Sequence, residues 1–364
     1  MSSHMALLAL ILILPFLASC ENHIDLRPDS QGAHLCLNAY IDADSLQHQL
    51  LVTLTGAHQP TKVSGAHVMV SINGTPETEA VENNYHQGYY EFSARFSPGD
   101  LVRIEVLTAD GAHMAFAEEY VPRPAELEDV APRLIEGYTS YEAYNEYGAY
   151  LQQVDAYQLR LRINDASETP DYYRLHTNWH IHHYFAQQYP WRGEEWEVNE
   201  QDYRQEGRFD GNQDPIFMEG HTITSGGDFD FPSLGHIENK QGVFSDRLFN
   251  GKEATVTIYE TVPNVFLKKS EPQDEHHSDE SEGGIYQTRV KEHYSGTLTV
   301  TLETISASEY YYLKALNTRD SDVYDDTSDL TGPIKTPTNV HGGSGMVGFH
   351  TSRSVTLPLY RPEE

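Results

Sequence analysis

From His34 to Val121 apolar and polar residues alternate in short runs with turn signals between them, a period of two that suits strands with one buried face. Ala66, Val68, Val70 and Ile72 point one way in AHVMVSIN, and Asn73-Gly74 supplies the pair that accepts positive φ in a tight hairpin turn. Tyr90, Phe92, Ala94 and Phe96 repeat the alternation, and Ser97-Pro98-Gly99-Asp100 turns the chain into LVRIEVL. About seven strands in roughly 90 residues predict an immunoglobulin-like β-sandwich over 34–125. Pro122, Pro124, Glu126, Glu128 and Asp129 then read as a linker.

Over 126–364 the β character persists in YQLRLRI (157–163), EATVTIYE (253–260), GTLTVTLET (296–304) and SVTLPL (354–359). One helix is expected, ASEYYYLKAL, where Ser306 as N-cap and Glu309 three residues on form a capping-box pattern. The chain therefore reads as all-β (mainly β). An N-terminal immunoglobulin-like β-sandwich is followed by a larger β-sandwich or partial barrel with one packed helix. No repeat of 20 to 50 residues is visible, which argues against solenoids and propellers. Lys268 to Gly284, KKSEPQDEHHSDESEGG, has almost nothing to bury and is expected to be a flexible acidic loop.

The first residues carry a different signal. Ala6 to Ala18 form a 13-residue apolar run, too short for a bilayer core of about 30 Å and matched to a signal-peptide core. It ends in Leu17-Ala18-Ser19-Cys20, which looks like a bacterial lipobox. On that reading residues 1–19 are removed, Cys20 carries the lipid, and 20–33 form a tether. Residues 1–5 depart from a normal leader in having no Lys or Arg. No other stretch reaches 18 consecutive apolar residues, so the mature chain is expected to be held to a membrane by lipid alone. Cys36 is then left without a partner, and its place opposite Leu35, Leu37, Ala39 and Ile41 reads as structural. Acidic residues outnumber basic ones by 55 to 24, a formal charge of −31 with no basic run, and this excludes a nucleic-acid partner.

Several of these stretches together resemble the Bacteroidetes outer-membrane lipoproteins that carry the domain of unknown function 4249. After the lipobox at Cys20 come VSGAHVMVSING (63–74), FSPGDLVRIEV (96–106) and LRLRINDASETPDYYRL (159–175). NQDPIFMEG (212–220), FSDRLFNGKEATVTI (244–258), ISASEYYYLKAL (305–316) and TPTNVHGGSGMVGF (336–349) follow in order, covering nearly the whole mature chain. The resemblance implies an outer-membrane protein that accompanies a TonB-dependent β-barrel transporter. It implies no reaction and no catalytic residues. The acidic loop at 268–284 departs from the family pattern. Glu21 and Asp25, interrupted by Asn22, His23 and Ile24, look like a weak surface-export signal and favour the cell surface over the periplasmic face.

Two constellations could carry chemistry. In RLHTNWHIHHYF, His176, His180 and His182 share parity and would project from one face of a strand, with His183 on the other. Such imidazoles could hold Zn²⁺ or Cu²⁺ given a third ligand, or could each be hydrogen-bonded singly. His276 and His277, among the carboxylates of the acidic loop, could add weak ligands or be part of a solvated charge run. Tyr184, Trp191 and Trp196 surround a Pro-Trp-Arg-Gly turn, where they could contact a partner or ligand, or fill the larger domain. Gly343, Gly345 and Gly348 match G-x-G-x-x-G, but without the following helix they read as close backbone packing and not as a dinucleotide site. Phosphate-loop, zincin and serine-hydrolase motifs are lacking. The expectation is a non-enzymatic outer-membrane lipoprotein, without a required cofactor, partnering a TonB-dependent transporter. The alternative is a metal-binding envelope lipoprotein using the His176/His180/His182 face.

Overall fold

The computed structural model describes residues 32–56, 59–145, 148–165, 169–188, 195–211, 213–218, 238–267, 289–320 and 336–360. Cys20, Trp191, His276, His277 and the loop at 268–284 lie outside the described residues. The first strands are β1 (Leu35–Asp42), β2 (Gln47–Leu54), β3 (Thr61–Lys62), β4 (His67–Ile72), β5 (Thr75–Glu82), β6 (Tyr89–Ser93), β7 (Leu101–Leu107) and β8 (Met114–Tyr120). Next come β9 (Glu126–Asn145), β10 (Gly148–Asn164), β11 (Tyr172–Gln188), β12 (Trp196–Glu206), β13 (Phe209–Asp210), α1 (Pro215–Met218) and β14 (Val243–Ser245). The chain continues with β15 (Glu253–Thr261), α2 (Asn264–Leu267), β16 (Arg289–Ile305), α3 (Ala307–Arg319), β17 (Val340–His341) and β18 (Gly343–Tyr360). The fold is all-β as expected, and its sheets do not close into a barrel.

Hydrogen bonding runs β12-β11-β16-β18-β1-β2-β6-β5-β4-β7-β8-β17, and the path folds over at β5. That strand pairs β4 over Thr75–Ala80 and β6 at Val81 and Glu82, so it passes from one layer to the other. Between the layers lie Leu35, Leu37, Val52, Val68, Val70, Phe92, Ile104 and Val106, among them Val68, Val70 and Phe92 of the expected alternation, whereas Ile72 and Phe96 are only partly buried. Asn73 and Gly74 have φ of 51° and 79°, the left-handed pair a two-residue hairpin needs.

A second sandwich faces β12-β11-β16-β18 with a separate sheet, β13-β15-β10-β9. Leu159, Leu161, Ile163, Val256 and Ile258 from the separate sheet meet Leu175, Trp179, Ile181, Leu298 and Val300 from the other. The helix α3 lies outside this core, packing Tyr310 and Leu313 on Ile305 and Val243.

One strand belongs to both units. The first half of β18 pairs β1 in parallel, Leu35↔Gly343 to Asp42↔His350, and its second half pairs β16 antiparallel up to Tyr360. The glycines of the G-x-G-x-x-G stretch allow this approach. A Cβ on Gly345, whose φ is +104°, would meet the Leu37 carbonyl oxygen at 2.1 Å, and one on Gly343 would meet the Leu35 oxygen at 2.3 Å.

The structure corrects three expectations. The N-terminal sandwich is not complete within 34–125, because Val340, Val347 and Phe349 from the C-terminal end are part of its core. Glu126, Glu128 and Asp129 are not linker but the start of β9, an edge strand whose outward charges are tolerated and where Arg162 meets Glu128 at 3.0 Å. Ser306 does precede α3 but makes no side-chain cap; its hydroxyl accepts from the Phe349 amide, and Glu309 turns inward.

Candidate functional site

Strand β11 positions the histidines. Its odd residues Tyr173, Leu175, Thr177, Trp179 and Ile181 are buried, so the even residues His176, His180 and His182 lie on the outer face as their parity predicts. His180 Nε2 and His182 Nδ1 both approach Asp202 Oδ1 on β12, at 3.6 and 3.0 Å. His176 is elsewhere, with its Nε2 3.2 Å from Glu303 Oε1 on β16. Six residues of strand separate His176 from His182, a rise of about 20 Å, so one ion cannot reach both directly. His183 faces inward, stacked on Tyr294 with ring centroids 4.4 Å apart and 2.8 Å from Glu292 Oε1.

Aromatic residues extend this face. Tyr184 stacks on His293 at 4.4 Å, and the Lys291 ammonium lies 4.4 Å from the Trp196 ring centroid. Both sequence-predicted contact residues within the described chain are therefore half-buried on the outer part of the sheet and not in the core. Here β11, β12 and β16 run on as three strands, since β18 pairs β16 only from Gly296.

Opposite them is an element the sequence reading missed. Tyr157 on β10 packs near Trp179 on β11, and the two strands run in opposite directions from the Asp165 to Asp171 connection. The start of β10 therefore extends toward the same end of the sandwich as the end of β11. Strand β15 pairs β10 only from Ala156 onward, leaving Thr139–Asn145 and Gly148–Val154 paired to each other as a two-stranded arm. Seven residues at about 3.3 Å each give it a length of about 23 Å. Its base is a bulge between Val154 and Ala156, where Gly137 has φ +60° and donates its N–H to Asp155. Tyr138 anchors that base, stacked on Tyr259 and donating to Asp210. Beyond it Tyr141, Tyr144, Tyr150 and Leu151 are exposed, Tyr144 and Leu151 to 74% and 73%.

Buried carboxylates form a third feature. Glu260 lies in the second core, accepting from Thr177, Trp179 and the Arg208 amide, and burial raises its pKa to about 7. Glu309, on α3, is fully buried with neither carboxylate oxygen hydrogen-bonded among the described residues, and burial with the nearby Glu303 pushes it to about 8. A Cβ on Gly348 would come within 2.6 Å of its Oε2, so the glycine makes its pocket. For Glu303 burial opposes ionisation, but His176, His350 and Arg174 outweigh it and hold the carboxyl below its ordinary value. The ambiguous signal was Glu309 itself, which local spacing assigned to a cap.

No helix among the described residues is long and apolar enough to cross a membrane. A search of curated proteins finds no match. One family model matches, that of the domain of unknown function DUF4249, over residues 21–356, which spans both sandwiches and the strand they share. The chain belongs to the DUF4249 family.

Proposed function

We propose that this chain is a non-enzymatic Bacteroidetes lipoprotein of the outer membrane, lipid-anchored at Cys20, that docks on a TonB-dependent β-barrel transporter as its accessory or ligand-binding partner. The observation that carries the reading is the β9–β10 arm. A two-stranded ribbon buries little of its own surface and is marginally stable in water, yet this one displays exposed tyrosines and a leucine at its outer end. Tyrosines of that kind supply large contact area with little side-chain entropy to lose, which suits a protein interface.

The test is a mild-detergent pull-down of the lipidated protein from native outer membranes. A stoichiometric barrel is expected with the wild type and lost with Tyr144→Ser/Leu151→Ser, while the melting temperature stays unchanged. A solitary wild-type protein after gentle cross-linking would count against docking. A second reading, metal handling in the envelope, is supported by the approach of His180 and His182 to one carboxylate, Asp202. It requires about one equivalent of Zn or Cu in protein purified without an affinity column, with loss in His182→Ala.

A further inference from the structure

We propose that Asp165, Asp171 and Asp246 form a divalent-cation site, with Ca²⁺ as the ion their chemistry favours. Asp165 follows the last residue of β10, Asp171 precedes β11, and Asp246 opens the 3₁₀ turn after β14, which pairs β11 through Tyr172↔Ser245. These connections bring the three carboxylates to the end of the second sandwich opposite the arm. One oxygen from each lies within 4.8 Å of the others.

The independent observation is Asp246. The residue is 2% exposed, its carboxylate faces the other two and bonds the Asp171 backbone and the Asp165 side chain, and its Oδ2 has no hydrogen-bond partner among the described residues. Asp165 is 3% exposed, with Oδ2 accepting from the Gly251 amide and its carboxylate also bonded to the Tyr173 hydroxyl. Three carboxylates held this close repel one another when ionised. A cation between the three would remove that repulsion and occupy the lone pairs of Asp246.

The donor set selects the ion. Three carboxylates without imidazole or thiolate are hard ligands, which suit Ca²⁺ and Mg²⁺ better than Zn²⁺ or Cu²⁺. Ca²⁺ accepts irregular geometry with oxygens at about 2.3–2.6 Å, whereas Mg²⁺ demands a near-octahedron. Bound there, the ion would tie the end of β10, the start of β11 and the β14 turn together. The inference does not depend on the docking reading.

The test uses the full chain stripped with EDTA. Thermal melts should rise with Ca²⁺ at about 10⁻⁴–10⁻³ M, and Mg²⁺ should do less. Tb³⁺ should luminesce on tyrosine excitation because Tyr173 contacts Asp165, with the signal competed by Ca²⁺ and reduced in Tyr173→Phe. Asp246→Asn should abolish the Ca²⁺ response while leaving the stripped protein as stable as the wild type or more so. If that variant does not fold, Asp171→Asn at the less buried position gives the same comparison. Melts indifferent to Ca²⁺ with no sensitised Tb³⁺ emission would overturn the site, leaving a shared proton as the relief of repulsion. A Ca²⁺ response of equal size in a folded Asp246→Asn or Asp171→Asn protein would also overturn it, by placing the ion elsewhere on the acidic surface.

Discussion

Glu309 and Glu260 carry the residue-scale consequences of the fold. Each carboxyl has an ordinary pKa of 4.5, raised to about 8 and about 7 in the folded chain. Between those values the unfolded state ionises while the folded state keeps its proton, so stability falls as pH rises from about 4.5 toward 8. Glu303 acts in the other direction, but its depressed carboxyl is lost only as pH drops below the ordinary carboxylate range. For these three carboxyls the contribution is greatest near pH 5, and a denaturant titration should show its fall toward pH 8. Glu309→Gln removes the more strongly raised of the two carboxyls and leaves Gly348 its space. The variant should be more stable than the wild type at pH 8 by a few kcal/mol, at about 1.4 kcal/mol per unit, with little change at pH 5. A slope unchanged by Glu309→Gln would show that this carboxyl does not set it.

At the scale of elements, legibility followed burial. Strands with one buried face, such as AHVMVSIN and LRLRI, repeat apolar residues every second position and could be read directly. The β9–β10 arm could not, because both faces beyond Val154 meet solvent and nothing selects apolar residues there. The outer histidines were legible as a shared face. Their partners were not, because Asp202 and Glu303 come from other strands whose register the sequence does not reveal. The same physics makes the arm separable from the core. Tyr144→Ser/Leu151→Ser removes side chains that are 74% and 73% exposed, so chemical denaturation should differ from wild type by less than about 0.5 kcal/mol. Gly137→Val, in contrast, forces a β-branched residue into φ +60° at the base of the arm. It should lower stability by about 1–3 kcal/mol and raise the protease sensitivity of the arm.

For the whole molecule, β18 joins the two sandwiches by serving as a strand of both. Eight residue pairs join it to β1, nine to β16, and Val340, Val347 and Phe349 fill the N-terminal core from the far end of the chain. Local alternation placed the N-terminal boundary near residue 125 because a parallel pairing across some 300 residues leaves no mark in either segment alone. A fragment of residues 32–125 would lack three buried side chains, each contributing about 1.5–3 kcal/mol, together with the ladder to β18. A domain of this size is stable by only about 5–15 kcal/mol, so the fragment should show no cooperative melt, although its own strands are intact. Gly345→Ala tests the same coupling within the full chain. Its methyl would sit 2.1 Å from the Leu37 carbonyl oxygen at φ +104°, so β1 and β18 must separate. Because each sandwich uses that strand, calorimetry should show both units destabilised together in one transition. A variant in which the N-terminal unit melts early while the second keeps its wild-type transition would mean that β18 is shared by two independent domains.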